Sequence, residues 1–235
     1  MESSGGNGVP VMISFSSRVS TVLSMITLFG VFACSAGDRG VNIPSPAVDA
    51  APATAKTQQS MVISGGCFWG IQAVFQHVKG VISATSGYSG GAANTAQYER
   101  VSDGDTGHAE SVNIVYDASQ ITYGQLLRVF FSVAHDPTQL NRQGPDSGTQ
   151  YRSSIFYAND EQKNIAEAYI AQLNQAKVFR HPIVTQVVPL KGFYPAEAYH
   201  QNYATLHPDN PYIVFNDAPK VANLRQQFPD LYTGK

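Results

Sequence analysis

The order of strand and helix patterns along the sequence predicts an α+β domain with a mixed sheet. A short apolar run at Met61–Ser64 is followed by a helical stripe, and later segments alternate between the two-residue period of strands and the longer period of helices. Strands interspersed with two or three helices are typical of this fold class. Beyond Leu190 the chain is rich in Tyr, Pro, His and Asn, which predicts a long coil-rich segment with short helices wrapped around the domain.

The first predicted elements surround a pair of glycines. Met61–Ser64 is read as a buried strand that ends at Gly65-Gly66, and Phe68–Val78 then carries apolar residues at helical spacing. Val81–Gly91 is Gly/Ser-rich after one possible strand. Ser111–Asp117 places apolar residues at every second position, which indicates a strand with one buried face.

The later elements are predicted mainly by helix caps. Thr122 is a favourable N-cap for a helix that continues to Val133. Asn159 with Gln162 resembles a capping box, which favours a second helix up to about residue 176. Two further strands are predicted on either side of that second helix, at Arg152–Ala158 and Ile183–Leu190.

Composition and charge exclude several classes of protein. Of 235 residues, 43% are hydrophobic and 14% are charged, so the chain has enough apolar residues for a packed core. The formal charge of −2 predicts no nucleic-acid or polyanion partner. The two cysteines, Cys34 and Cys67, exclude a disulfide scaffold, and no CxxC or HExxH spacing is present. We therefore expect no metal site and no cofactor.

Residues 1–34 have the pattern of an export segment. Arg18 precedes the nearly uncharged run Val19–Phe32, which is too short to span a bilayer comfortably and is followed by Ala33-Cys34-Ser35. Val31–Cys34 resembles the lipobox of bacterial lipoproteins, although Phe32 departs from it. This pattern predicts export to the bacterial cell envelope or periplasm, with lipidation of Cys34 as a membrane anchor. The alternative is an ordinary cleaved signal peptide with a coincidental cysteine.

Residues 35–60 differ in composition from the segments on either side. They are rich in Pro, Ala, Ser, Thr and Gln, including Pro44, Pro46 and Pro52. Such composition buries little apolar surface, so we expect a flexible linker. The catalytic domain is predicted to occupy residues 61–235.

Cys67 is the principal candidate for a reactive group. It lies where the first strand meets the first helix, and a thiol there faces the positive end of the helix dipole and free N–H groups, which favour thiolate. Gly65 and Gly66 allow a sharp turn that leaves the sulfur exposed, and Phe68 and Trp69 add an apolar wall. The alternative is a buried cysteine packed as a small hydrophobic residue.

Five sequence blocks resemble the signatures of the A-type peptide methionine sulfoxide reductases, the family specific for the S epimer. The resemblance covers about residues 61–216, and Tyr98 is matched singly between the second and third blocks. The blocks occur in the family's order: Gly65–Gly70, Gly87–Gly91, Thr106–Glu110, Asp146–Ser153, and Phe193–Glu197 with Tyr199–Gln201.

The resemblance implies a ferredoxin-like α+β fold, a two-layer sandwich, and the reduction of methionine S-sulfoxide, free or in oxidised proteins, through a cysteine sulfenic acid. Glu110 would protonate the sulfoxide oxygen, which suits a carboxyl whose pKa is raised by apolar surroundings. The remaining roles are also carried by the resemblance: Cys67 as nucleophile, Tyr98 and Tyr151 as phenols that hold the oxygen, Asp146 as a helper near the thiol, and Phe68 with Trp69 as the pocket for the S-methyl group.

Several neighbours of these residues have simpler interpretations. His108 is expected to be a structural hydrogen-bonding residue outside the catalytic set. Tyr194 and Tyr199 are expected to pack, with a contribution to the pocket rim. Without the resemblance, Glu110 would be read as a surface carboxylate, and Asp146 as part of a Pro-Asp-Ser-Gly turn.

The chain departs from many family members in its cysteines. Those members carry further cysteines in a C-terminal tail, whereas here none follows Cys67. We therefore expect an external thiol reductant, a thioredoxin-like protein or a small thiol. An unlipidated Cys34 is a further alternative. Two rival functions stay open from the residues alone, a peroxide-reducing thiol enzyme and a non-enzymatic module that binds oxidised methionine.

Overall fold

The structure is a computed structural model that describes residues 40–234. Six of its eight strands form one sheet, and the two shortest pair with each other. The strands are β1 Gln58–Ser64, β2 Val81–Ser89, β3 Ala109–Asp117, β4 Arg142–Gln143, β5 Asp146–Ser147, β6 Ser154–Tyr157, β7 Gln186–Pro189 and β8 Phe193–Pro195. The order in the large sheet is β7-β6-β1-β3-β2-β8.

The predicted α+β class and mixed sheet are confirmed. The pair β6–β7 is parallel, and the other pairs of the large sheet are antiparallel. Within it, the order β6-β1-β3-β2 is compatible with the ferredoxin-like arrangement expected from the resemblance. The first strand begins at Gln58 rather than Met61, because Gln58 and Gln59 continue the ladder opposite Asp117 and Tyr116.

Within the described residues, six α-helices accompany the sheet, together with short 3-10 and π-helical segments. The α-helices are α1 Phe68–Gln76, α2 Tyr98–Ser102, α3 Tyr123–Val129, α4 Asp160–Gln175, α5 Tyr203–Leu206 and α6 Ala218–Gln227. The predicted caps are present: Thr122 and Gln125 form a reciprocal capping box on α3, and Asn159 Oδ1 accepts the Gln162 N–H of α4 at 2.9 Å. Within residues 40–234, no helix has both the length and the apolar character needed to cross a bilayer.

The core lies between α1, α3, α4 and one face of the sheet. Its largest fully buried side chains include Phe68, Phe75, Phe130, Phe131 and Tyr169. In α1 the apolar stripe of Ile71, Val74 and Phe75 faces this core, as its helical spacing predicts. Because α1 follows β1 directly, burial of this stripe fixes the turn at residues 65–67 that carries Cys67.

Residues 40–57 form an ordered strap on the domain, which differs from the flexible linker predicted for 35–60. Ile43 is only 2% exposed, and the Val41 N–H donates to Ser132 O at 2.8 Å. Asp49 Oδ1 accepts the Gly124 N–H of α3 at 2.7 Å. Backbone and carboxylate hydrogen bonds therefore hold a segment that has few large apolar side chains. The predicted export segment 1–34, with Cys34, and residues 35–39 lie outside the described residues.

The strap predicts a difference between two of its apolar residues. Ile43→Ala should lower the free energy of unfolding by about 2–5 kcal/mol, because a fully buried side chain leaves a cavity. Val48→Ala is the matched control, since Val48 is 51% exposed and should change stability by less than about 0.5 kcal/mol. Urea unfolding followed by circular dichroism measures both, and equal stability of the two variants and wild type would contradict a packed strap.

Candidate active site

Cys67 is the N-cap residue of α1, at the turn that leaves β1. Gly66 adopts φ +96°, and a Cβ there would lie 2.6 Å from Gln143 Cβ, so both the conformation and the space require glycine. The backbone N–H of Trp69, in the first helical turn, acts to lower the pKa of Cys67, although the sulfur accepts no capping hydrogen bond. The strand–turn–helix setting predicted for Cys67 is therefore present.

The structure brings all seven predicted catalytic and substrate-binding residues of the domain to one cavity of about 200 Å³. Strand β3 contributes one of them, the start of α1 three, α2 one, and the segment from β5 to β6 two. An eighth, Tyr212, was not predicted. The lining residues are Cys67, Phe68, Trp69, Tyr98, Glu110, Asp146, Tyr151 and Tyr212.

Glu110 is a buried carboxyl that contacts the helix carrying Cys67. It lies in β3, and its Oε2 accepts the Phe68 N–H at 3.0 Å. Burial raises the pKa of Glu110 to about 8, with further contributions from Asp146 and Asp217, while the bond from Phe68 opposes the rise. At neutral pH the group is therefore mainly a protonated acid, as the sequence predicted for a carboxyl beside apolar walls.

The Cys67 thiol differs from its prediction. The sequence suggested an exposed sulfur in a thiolate-favouring position, but the residue is only 7% exposed. Burial, together with the carboxyl groups of Glu110 and Asp217, raises the pKa of Cys67 well above its ordinary value. The Trp69 N–H and Lys220 act in the opposite direction and are outweighed. Before substrate binds, the thiol is therefore protonated at neutral pH, and the thiolate prediction is wrong for this state.

Three phenols line the cavity as hydrogen-bond donors. Burial raises the pKa of Tyr98, Tyr151 and Tyr212, so all three remain protonated at any physiological pH. The Tyr212 hydroxyl donates to Asp146 Oδ2. Burial also raises the pKa of Asp146, whereas the bond from Tyr212 and the charge of Lys220 lower it. Asp146 therefore orients Tyr212 in the cavity wall.

The apolar wall is held by aromatic contacts. The Trp69 ring stacks on Tyr203 with centroids 3.8 Å apart, and its indole N–H donates to His200 Nδ1 at 3.2 Å. Tyr212 meets the same indole edge-on at 6.0 Å. Phe68, on the other side of Cys67, is fully buried. Trp69 thus has little freedom to rotate, and the cavity keeps its shape.

The neighbours of the site have supporting contacts. Glu197 Oε1 accepts the Tyr98 N–H at 3.0 Å, which fixes the start of α2. His108 is structural, as predicted: its Nδ1 accepts the Gly91 N–H and its Nε2 donates to a carbonyl of the same turn. Tyr194 packs edge-on against His108 and Tyr199 packs against His200, and neither lines the cavity.

Sequence reasoning missed four residues of this region, which all come from the C-terminal segment. Tyr212 lines the cavity, His200 holds Trp69, and Asp217 and Lys220 act electrostatically on Cys67. The segment has no strand or helix pattern that places these side chains near Cys67; the available signals were its many aromatic residues and, for His200, the Tyr199–Gln201 block. Within residues 40–234, no three His, Cys, Asp or Glu side chains are grouped in a way that would hold a metal ion.

Comparisons with known proteins agree on one family. The sequence profile described as "Peptide methionine sulfoxide reductase" matches residues 59–232. Peptide methionine sulfoxide reductase MsrA 2 of Mesorhizobium japonicum is 64% identical over 177 residues, which cover 75% of this chain and 91% of the relative. Two solved structures also match: reduced Mxr1 of Saccharomyces cerevisiae has a TM-score of 0.59 at 32% identity, covering 68% and 91% of the two chains. Methionine sulfoxide reductase A of Corynebacterium diphtheriae has a TM-score of 0.55 at 34% identity, covering 72% and 87%.

The charges in the cavity predict how Cys67 responds to pH. Its raised pKa makes the thiolate scarce at pH 7, so alkylation by iodoacetamide should be slow there and should accelerate with rising pH. Above about pH 8 the ionised Glu110 repels the thiolate, so Glu110→Gln should lower the pKa of Cys67 and speed alkylation several-fold at pH 8–9. Mass spectrometry of the Cys67 peptide gives the rates. Glu99→Gln, an exposed carboxyl in α2, is the control, and equal rates in all three proteins would contradict the coupling.

Proposed function

Because the chain belongs to the peptide methionine sulfoxide reductase family, we propose that the cavity around Cys67 is the site at which it reduces its substrate. The reaction of the family is thiol-dependent reduction of methionine S-sulfoxide to methionine, which repairs oxidised proteins. The observation that carries the proposal is the Glu110 carboxyl, which is protonated at neutral pH and bound to the helix turn that follows Cys67.

The apolar methyl group and the polar oxygen of the sulfoxide orient the substrate in the cavity. Its S-methyl group packs against Phe68 and Trp69, and its oxygen, a strong hydrogen-bond acceptor, points toward Glu110 and the hydroxyl groups of Tyr98 and Tyr151. The fixed position of Trp69 and the protonated state of the phenols support this orientation. Donors that are already in place stabilise the oxygen as charge develops on it.

The chemical step moves oxygen from the substrate to Cys67. The Cys67 sulfur attacks the sulfoxide sulfur while Glu110 gives a proton to the oxygen, which yields an intermediate with a sulfur–sulfur bond and a hydroxyl on the substrate sulfur. The hydroxyl then passes to the Cys67 sulfur, while the substrate sulfur loses its bonds to oxygen and to Cys67. Cys67 is oxidised by two electrons to a sulfenic acid, and the substrate sulfur is reduced by two. Protons are conserved: the sulfenic acid carries one, and Glu110 recovers the one released by the thiol.

Recycling uses an external reductant. Two thiols reduce the sulfenic acid to the Cys67 thiol, yielding water and the reductant's disulfide. We propose a thioredoxin-like protein or a small thiol as the source, because the sequence contains no cysteine after Cys67. This assignment makes Cys34 dispensable for turnover.

The proposed roles predict distinct effects of two carboxyl substitutions. Glu110→Gln should lower kcat for methionine sulfoxide by at least about 100-fold, because an amide cannot act as the general acid. Glu99→Gln removes an exposed carboxyl beside Tyr98 and should retain activity. Both are measured by methionine formation from racemic methionine sulfoxide with dithiothreitol.

The same assay tests the stereochemistry of the reaction and the roles of Cys67 and Glu110. Wild type should consume half of the racemate, the S epimer, and Cys67→Ser should consume none. Full activity of Glu110→Gln would remove Glu110 from the mechanism, and unchanged turnover by Cys67→Ser would remove Cys67. Retention of methionine sulfoxide binding by Cys67→Ser, without turnover, separates catalysis from recognition.

We further propose that the protein is exported to the bacterial cell envelope or periplasm and is anchored to a membrane by a lipid on Cys34. The support is the sequence alone: a positive residue, a short apolar run and a cysteine in a lipobox-like setting. Such an anchor tethers a folded domain without a membrane-spanning helix.

The anchor predicts where the full chain is found in a bacterial host. Wild type should sediment with membranes, and its mature N-terminal peptide should begin at a lipid-modified Cys34. Cys34→Ser should lose the lipid and its processing. A soluble, processed wild-type protein would instead indicate an ordinary signal peptide, and an unprocessed soluble chain would contradict export.

A further inference from the structure

A buried ion pair lies against the helix turn that carries the nucleophile. Lys220 Nζ is 3.0 Å from Asp217 Oδ1, and the two residues are 7% and 0% exposed. Both contact the backbone of Gly70 in the first turn of α1: a Cβ there would overlap Asp217 Oδ1 and lie 2.8 Å from Lys220 Nζ. The ion pair therefore occupies space that only a glycine at position 70 leaves open, one helical turn from Cys67.

The pair is costly in this position. Burial of two charges carries a desolvation penalty that their attraction often fails to recover, and replacing a buried ion pair by apolar residues of similar volume is often neutral or stabilising. Moreover, Asp217 Oδ2 is buried and accepts no hydrogen bond among the described residues, which adds to the cost. Lys220 is the one lysine or arginine classed as buried within residues 40–234. Stability alone therefore does not account for this charge.

The titratable groups around Cys67 are mostly carboxyls and phenols. Lys220 is a positive charge among them, and it acts to lower the pKa of both Cys67 and Asp146, against the effects of burial. The facing groups come from four parts of the fold: Glu110 on β3, Asp146 on β5, the phenols of Tyr98 and Tyr151, and Tyr212, Asp217 and Lys220 of the C-terminal segment.

We propose that Lys220, anchored by Asp217, is a positioning residue of this reaction: its buried positive charge stabilises the negative charge on the Cys67 sulfur when the thiol loses its proton and attacks. This inference rests on the proposed role of Cys67 as the nucleophile. Asp217 has a second effect, because its own negative charge opposes the thiolate. Removing each partner should therefore change the reactivity of Cys67 in opposite directions.

The experiment measures alkylation of Cys67 in the full chain without substrate. Iodoacetamide rates are followed from pH 6 to 10 by mass spectrometry of the Cys67 peptide. In the pH range where the rate rises, Asp217→Asn should react at least 5-fold faster than wild type and Lys220→Met at least 5-fold slower. Lys191→Met, which removes an exposed lysine, should match wild type. If the substitutions instead loosened the structure, both Asp217→Asn and Lys220→Met would be alkylated faster than wild type, because the sulfur would be more exposed.

A double variant keeps the test valid if Lys220→Met fails to fold, since that change leaves Asp217 unpaired in the interior. Asp217→Asn with Lys220→Met buries no unpaired charge, and it should react at least 5-fold more slowly than Asp217→Asn alone. Equal rates in these two proteins would overturn the role of Lys220, as would equal rates in wild type and a folded Lys220→Met.

Turnover separates this inference from the proposed function. The kcat for methionine sulfoxide should fall at least 10-fold from Asp217→Asn to the double variant, while the KM changes less than 3-fold, because the charge acts on the attacking sulfur. If wild type fails to turn over methionine sulfoxide, the proposed function is wrong, and the alkylation comparison still stands. If wild type turns over normally and alkylation is unchanged in the variants, only the role proposed for Lys220 is wrong.

Discussion

The hydrogen bond from the Phe68 N–H to Glu110 Oε2 connects the two halves of the site. Glu110 lies in β3, which pairs on both edges with neighbouring strands, and Phe68 begins the helix that Cys67 caps. The bond satisfies one of the free N–H groups at the start of α1 and fixes the Glu110 carboxyl beside Cys67. Since Glu110 reaches the helix from a central strand, the distance between the proposed acid and the proposed nucleophile is set by the core and not by a surface loop.

The same burial that makes Glu110 an acid makes Cys67 a weak nucleophile at rest. Taking both groups out of water raises both pKa values, so at neutral pH neither Glu110 nor Cys67 carries a charge in the empty site. A peroxide-reducing enzyme needs a low-pKa, accessible thiolate, because the ionised sulfur is the species that peroxide oxidises. The protonated, enclosed Cys67 argues against that rival function. It fits a substrate that brings its own proton-accepting oxygen to the acid.

Local sequence patterns predicted the structural features that depend on a few neighbouring residues. The caps at Thr122 and Asn159 and the glycine-dependent turn before Cys67 depend on a few neighbouring residues, and each is present. The alternating pattern of residues 111–117 correctly predicted a strand, which lies in the centre of the sheet. The start of this strand at Ala109 depends on pairing with β2 and was not predicted. Local features pointed to Cys67, Phe68 and Trp69, and the family resemblance supplied the other four cavity residues, since nothing local joins Tyr98 to Tyr151.

The errors share one physical cause, which is that the deciding contacts come from distant segments. The helix dipole favoured a Cys67 thiolate, but carboxyl groups on β3 and near α6, together with burial, outweigh it. The strap resembled a linker because its composition is rich in Pro, Ala and polar residues. Composition does not count the hydrogen bonds of Asp49 to α3 and of Val41 to Ser132, which lies in the π-helical segment Phe130–Ala134 that follows α3. Lys220 was not noticed because a single lysine in a polar helix is usually solvated.

The size of the cavity sets the order of events under the proposed mechanism. Cys67 is 7% exposed and is reached through a space of about 200 Å³ that the substrate's methyl sulfoxide group also occupies. The reductant's thiol must contact the same sulfur, so methionine has to leave before the sulfenic acid is reduced. Oxidation and reduction of Cys67 are therefore separate half-reactions, as in other covalent two-step enzymes. With no resolving cysteine after Cys67 in the sequence, the enclosed sulfenic acid depends on this walled cavity for protection until an external thiol enters.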